Sequence, residues 1–146
     1  MPFLIVSIIH ECIITLKAEI TSVVEVLFFD MDSTELQLLL SNLVDQRAEN
    51  EVIEFKENNY DKEKIGQRIS ALANSANLLD KKYAYLVFGV HDTRYEIVGT
   101  QFQPSKLKIG NIELEHWLHQ RLSPDINFVI YEFTKDGCNI VISDYL

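Results

Sequence analysis

The run Tyr83-Ala-Tyr-Leu-Val-Phe-Gly-Val90 constrains the fold of this 146-residue chain more than any other stretch. An almost unbroken apolar run of strand length reads as a strand covered on both faces, so the chain must supply helices for both sides of a sheet. Three candidates are legible. Ser33 is placed to cap a helix whose apolar positions Leu36, Leu39, Leu40, Leu43 and Val44 recur at helical spacing. A second runs from Asp61, as cap, to Asn74, with the stripe Ile65, Ile69, Leu72 and Ala73. The third spans Asn111 to Leu122, carries Leu114, Trp117, Leu118 and Leu122 along one side, and stops at Ser123-Pro124. Strands are expected at Val52 to Lys56 and at Tyr83 to Val90, the latter turning through His91-Asp-Thr-Arg-Tyr95 into a hairpin with Glu96 to Val98 that ends at Gly99. Ile126 to Phe133 and Cys138 to Ser143, joined by Lys135-Asp136-Gly137, form a second hairpin. The order helix, strand, helix, two strands, helix, two strands describes an α+β domain: a mixed sheet with two to three packed helices.

The length suits one domain with a substantial core. The apolar run Pro2 to Ile9 is broken by Ser7 and followed by His10 and Glu11, far short of the roughly 18 apolar residues that a membrane span requires. It has no basic segment before it, which excludes a signal peptide, so a cytoplasmic protein with no membrane partner is expected. Cys12 and Cys138 lack metal-knuckle or redox-pair spacing and read as reduced thiols. Residues 1–30, with β-branched runs at Ile13 to Thr15 and Thr21 to Val26, carry no motif and read as an extension before a natural start at Met31. The expected domain is 31–146, shortened at its C-terminus because the chain stops straight after a strand.

The net charge of −9 argues at first against binding phosphate. Its distribution softens that: residues 1–46 carry −6 and residues 47–146 only −3, which leaves room for a local basic face of Lys62, Lys64, Arg68, Lys81, Lys82 and Arg94.

Strand alternation puts Glu54 and Lys56 on one face, roughly 7 Å apart at a ~3.3 Å rise per residue. Asp92 follows the central strand, on the side of Leu86, Phe88 and Val90 if the pleat continues. Neighbouring strands would then bring Glu54 and Asp92 together, with Glu49 entering from the preceding loop. Such an all-oxygen cluster suits Mg²⁺ or Mn²⁺, which could activate water and neutralise a phosphodiester under attack, with Lys56 adding charge stabilisation. The alternative is an exposed Glu54–Lys56 ion pair worth at most about 1 kcal/mol, with Asp92 serving the turn. His116 and His119 lie opposite Leu114 and Trp117 without further ligands, and no Gly-rich phosphate loop is present. Tyr83, Tyr85 and Phe88 read as core, and Asn74 reads as a helix cap or as holding the following loop.

The ordered set Glu54-Phe-Lys56, Ile69-Ser-Ala-Leu-Ala-Asn-Ser75, Tyr85-Leu-Val-Phe-Gly-Val-His-Asp92 and Ile97-Val-Gly-Thr100 resembles the Schlafen AlbA-like domain, over about Leu36 to Ile142. The resemblance implies an AlbA-like core and nucleic-acid binding, within bacterial proteins described as transcriptional regulators or ATP-binding proteins and within animal Schlafens. For the Schlafen endoribonucleases it implies a three-carboxylate metal site, whose matching positions are Glu49, Glu54 and Asp92 with Lys56; Glu51 is an alternative to Glu49. Two departures stand out. The Gly-Gly common after the Ala-Asn-Ser segment is replaced by the glycine-free Ala76-Asn-Leu-Leu-Asp-Lys-Lys-Tyr83, and the common Gly-Val-Asp-Asp reads Gly89-Val-His-Asp92.

The expected function is therefore a DNA- or RNA-binding module of a regulatory protein, with Lys62, Arg68, Lys81, Lys82 and Arg94 as candidate contacts. The alternatives are a Mg²⁺- or Mn²⁺-dependent endoribonuclease using Glu49, Glu54, Asp92 and Lys56, and an inactive fragment of a larger ATP-binding regulator. An open sheet edge would also favour a homodimer.

Overall fold

The computed structural model describes residues 31–123 and 126–145. Leu36–Leu146 forms one compact unit. The β-branched runs within residues 1–30, Cys12 and Pro124 lie outside the described residues. The described elements are helix α1 (Ser33–Asp45), strand β1 (Ile53–Lys56), helix α2 (Lys62–Leu78), strand β2 (Ala84–Phe88), a 3₁₀ turn at Pro104–Lys106, the short strands β3 (Lys108–Ile109) and β4 (Ile112–Glu113), helix α3 (Leu114–Arg121), and strands β5 (Phe128–Lys135) and β6 (Cys138–Tyr145). This is an α+β fold: three helices with a mixed four-stranded sheet in the order β1-β2-β6-β5. Among the described residues no helix is long and apolar enough to cross a membrane.

β1 and β2 are parallel, so the chain must cross from the end of one to the start of the other, and α2 makes that crossover. Its apolar stripe holds it to the sheet. Ile65, Ile69 and Leu72 are buried in one cluster with Ala84, Leu86 and Phe88 of β2 and with Leu114 and Leu118 of α3. Each fully buried aliphatic side chain is worth roughly 1.5–3 kcal/mol, enough to outweigh the propensity cost of about 1 kcal/mol for the interior Gly66. The other face of the sheet holds Ile53, Phe55, Val87, Ile140 and Ile142, packed with Leu40 and Leu43 of α1. β2 is therefore covered on both sides, as its apolar run requires.

Several boundaries differ from the sequence reading for local reasons. Asp32, not Ser33, caps α1: its carboxylate accepts the N–H groups of Thr34 and Glu35, and the Glu35 carboxylate accepts the Asp32 N–H in return. Asp61 does cap α2, accepting the Lys64 N–H, but the helix continues past Asn74 to Leu78 because no glycine or proline stops it. The hairpin expected after β2 is reduced to a single bridge, Val90 to Ile97. At the β5–β6 turn, Asp136 and Gly137 both take positive φ (51° and 79°), as a two-residue hairpin demands.

The most consequential departure is at Gly89. In a regular strand Phe88 and Val90 would share a face, yet Phe88 packs on the α2 side and Val90 on the α1 side. Gly89 resets the pleat with φ 102°, donating its N–H to Lys56 O (2.8 Å) while its carbonyl accepts from Val98 and Gly99 (2.9 Å each). A Cβ at this position would lie 2.7 Å from Ile140 Cδ1 and 2.9 Å from Asn139 O, so neither the conformation nor the space admits a side chain.

The same substitution should therefore have opposite signs at two glycines. Gly89→Ala is expected to lower the unfolding free energy by about 1–3 kcal/mol, from the positive φ and the clash. Gly66→Ala, whose Cβ would make an ordinary 3.6 Å contact with Leu118, should raise it by about 0.4–1 kcal/mol. Urea denaturation of both variants checks this, and equal effects would contradict the geometry.

Candidate functional site

β1 sets two charged side chains on the α2 side of the sheet, because Glu54 pairs in register with Leu86 and Lys56 with Phe88. Glu54 Oε1 lies 3.1 Å from Lys56 Nζ and 3.2 Å from Nε of Arg68, which α2 brings over the strand. Arg68 also donates through Nη1 to Asn59 O (2.8 Å). Glu49 joins from the preceding loop: its Oε1 accepts the Phe55 N–H (2.8 Å) and stands 3.8 Å from Lys56 Nζ. The side chains of Glu54, Lys56 and Arg68 are only 16–27% exposed, so the network is shielded better than a surface ion pair.

Asp92 is not part of this network. After the pleat reset at Gly89, the chain enters a turn in which Asp92 Oδ1 accepts from Thr93 Oγ1 (3.1 Å) and the side chain is 53% exposed. His91 Nδ1 lies 3.6 Å from Asp92 Oδ1, but it accepts the backbone N–H groups of Thr93 and Arg94. A nitrogen accepting hydrogen bonds carries no proton, so in this arrangement His91 supplies no charge to Asp92. Asp92 serves the turn.

The three carboxylates expected to hold Mg²⁺ or Mn²⁺ are thus divided: Glu49 and Glu54 are turned to Lys56 and Arg68, and Asp92 to Thr93. Among the described residues no group of three or more His, Cys, Asp or Glu side chains is arranged to hold a metal ion. Lys56 and Arg68 already balance the Glu54 charge, and the three carboxylates do not converge, so the donor set as arranged does not fit the ion.

The basic candidates also separate. Arg68 is held by Glu54, and Arg94 Nε by Glu96 Oε2 at 2.9 Å, in a solvated pair. Lys62 lies at the start of α2, its Nζ 5.4 Å from the centre of the Trp117 ring, which Arg121 approaches to 4.9 Å. Lys81 and Lys82 follow α2, and Lys82 Nζ lies 5.1 Å over the Tyr83 ring. Both lysines line a groove of about 550 Å³ with Ser70, Asn74, Asn77 and Ser123. No acid is in that lining, whereas Glu113, Glu115 and Glu132 line a separate cavity with Pro104, Ser105 and Ile130. Sequence reading found the lysines and singled out Asn74. It missed Ser70 and Asn77, which the length of α2 brings into line, and Ser123, which comes from a distant loop.

The most perturbed carboxyl is one that no motif marked. Asp144, paired in register with Tyr85 and Val129, has an oxygen buried without a hydrogen-bond partner among the described residues. Burial pushes its pKa up from the ordinary 3.8 to about 6. Tyr85 is pushed up to about 12, by burial first and then by the charges of Asp144 and Tyr83.

Two outcomes follow. Asp144 binds its proton more tightly folded than unfolded, so its protonation stabilises the fold fully below about pH 4, and that contribution is lost as pH rises through about 6. Denaturation midpoints across this range should fall more steeply for the wild type than for Asp144→Asn; identical profiles would refute the assignment. A double-mutant cycle of Glu54→Gln with Arg68→Ala should give a coupling of about 1 kcal/mol, and none if the pair is merely incidental.

The family model described as Schlafen, AlbA_2 matches residues 49–144. No curated protein matches the chain significantly.

Proposed function

The chain belongs to the Schlafen AlbA_2 family, and from that premise we propose that it is a nucleic-acid-binding domain whose phosphate contact is the groove of Lys81 and Lys82. The observation that carries this reading is the chemistry of the lining: two cations, two amides and three hydroxyls, of Ser70, Ser123 and Tyr145, with no carboxylate. Ammonium groups neutralise phosphate and release counterions, while Asn and Ser donate to phosphate and sugar oxygens without reading sequence. Asn74 and Asn77 are exposed and one turn apart on α2, so both present their amides to the same ligand.

The nuclease reading has less support. It requires three carboxylates to share one cation, and here two are paired to Lys56 and Arg68 while the third is held in a turn. The net charge of −9 favours a local groove as the mode of contact, since broad electrostatic capture would be repelled.

Gel retardation with labelled tRNA, single-stranded DNA and duplex DNA tests the reading, each in EDTA and in Mn²⁺. Intact, retarded nucleic acid is expected. Replacing Lys81 and Lys82 with Ala should weaken binding to every nucleic acid and lower the slope of log K against log salt by roughly one for each phosphate no longer neutralised. Absence of binding at low salt would overturn the proposal. Mn²⁺-dependent cleavage abolished by Glu54→Gln would replace it with the nuclease.

A further inference from the structure

A second cleft lies at the opposite end of α2. It is an open depression of about 530 Å³ lined by Tyr60, Asp61, Lys62, Leu107, Lys108 and Gly110. Tyr60 is half-buried and rigidly backed: its ring stacks on Phe102 at 5.1 Å and 9°, and Phe102 in turn meets Phe88 of β2 edge-on at 4.8 Å. The loop that carries Tyr60 is itself fixed, because Asn58 Oδ1 accepts from Thr100 Oγ1 (3.1 Å) and from the Gln101 N–H (2.8 Å). A half-open aromatic ring is thus held in place by a column of rings reaching into the core.

Two ammonium groups stand beside it. Lys62 lies over Trp117, and Lys108 is exposed on the β3–β4 hairpin with no ion pair among the described residues; its cross-strand neighbour is Glu113. The nearby acid, Asp61, is engaged in capping α2 through the Lys64 N–H. At the hairpin tip a Cβ on Gly110 would meet nothing within 4 Å, so the mouth of the cleft is unobstructed there.

We propose that this cleft is a stacking subsite for an unpaired base, with Lys62 and Lys108 receiving the flanking phosphates, so that the domain's ligand includes a single-stranded segment. The proposal rests on the nucleic-acid reading above and sharpens it. Stacking on an aromatic platform with cations alongside is sequence-tolerant and needs a base that is not already paired. Along α2, at ~1.5 Å per residue, Lys62 stands about 12 Å from Ser70, where the lining of the other groove begins, and about 24 Å from Leu78, beyond which Lys81 and Lys82 lie. That separation favours a polymer over a free nucleotide, since one nucleotide cannot touch both ends of the helix.

The test uses the whole chain with a labelled single strand of about ten nucleotides, within the ~4–16 typical of one binding fold, as DNA and as RNA. The duplex of the same sequence and a nucleoside monophosphate are the other ligands. Tyr60→Ala should weaken single-strand binding roughly tenfold and leave duplex binding unchanged, while Tyr60→Phe retains affinity. Lys108→Ala, on an exposed hairpin where folding is not at stake, should weaken single-strand binding independently and reduce its salt slope. Trp117, the sole tryptophan, lies beside Lys62, and its fluorescence should change on adding single strand. If Tyr60→Ala and Lys108→Ala leave single-strand affinity unchanged while loss of Lys81 and Lys82 lowers it, the stacking subsite is wrong and the groove stands. Equal affinity for the monophosphate and the oligomer also overturns the proposal. If the wild type binds no nucleic acid, both readings fall.

Discussion

The backbone contact at Gly89 governs how this domain is put together. One residue ties the edge strand β1 to the end of β2 through Lys56 O, and receives the Val98 and Gly99 N–H groups on its own carbonyl. It does so within van der Waals reach of Asn139 and Ile140 on β6. Three sheet segments and the returning loop meet where no side chain fits, so the position admits only glycine. The reset of the pleat then sends Val90 into the α1-side cluster and starts the turn that carries Asp92. Where the third acid sits is thus a consequence of packing at Gly89, and the character of the Glu54 network follows from it.

Without Asp92, Glu54 is balanced by Lys56 and Arg68 and becomes a clasp between β1 and α2. β1 is only four residues long and lies at the sheet edge, so it gains few ladder hydrogen bonds and benefits from a side-chain tie to the helix above it. A half-buried charge of one sign at this position would be costly; paired, its desolvation is largely offset. The cations most prominent in the EFK strand and mid-α2 are consequently engaged within the fold. The lysines that line the two clefts stand instead at the two ends of α2.

Much of the fold was legible because its signals are local and repeated. The run Tyr83 to Val90 demands cover on both faces, the stripe Ile65, Ile69, Leu72 supplies it on one side, and Leu40 with Leu43 supply it on the other. Alternation in Ile53 to Lys56 correctly put Glu54 and Lys56 on one face. What could not be read depended on distant contacts. Phe-Gly-Val-His looks like a continuing strand, and only the close approach of Asn139 and Ile140 shows why Gly89 turns there. The hairpin β3–β4 has two residues per strand, too few for any period to register. Nothing in the local sequence marked Tyr60, because its stacking partner Phe102 lies 42 positions along the chain. Asp144 lies one residue past the strand read as Cys138 to Ser143, and nothing local announced that the strand would continue and bury its oxygen without a partner among the described residues.

The acidity of the chain also bears on how such a domain could hold nucleic acid at all. A few lysines set in a net charge of −9 give an electrostatic term that fades quickly with salt, since each phosphate contact contributes a slope of only about 0.7–0.9 and the surrounding acids oppose it. The Debye length of about 8 Å at physiological ionic strength confines that attraction to the groove itself. Stacking is not screened in this way. A base on Tyr60 would add an attraction of about 1–3 kcal/mol that persists where the lysine contacts weaken. An acidic domain that relied on Lys81 and Lys82 alone would lose its ligand as salt rises, whereas one that also offers a ring at the far end of α2 keeps a salt-resistant component. The fixed length of α2 sets the spacing between the two.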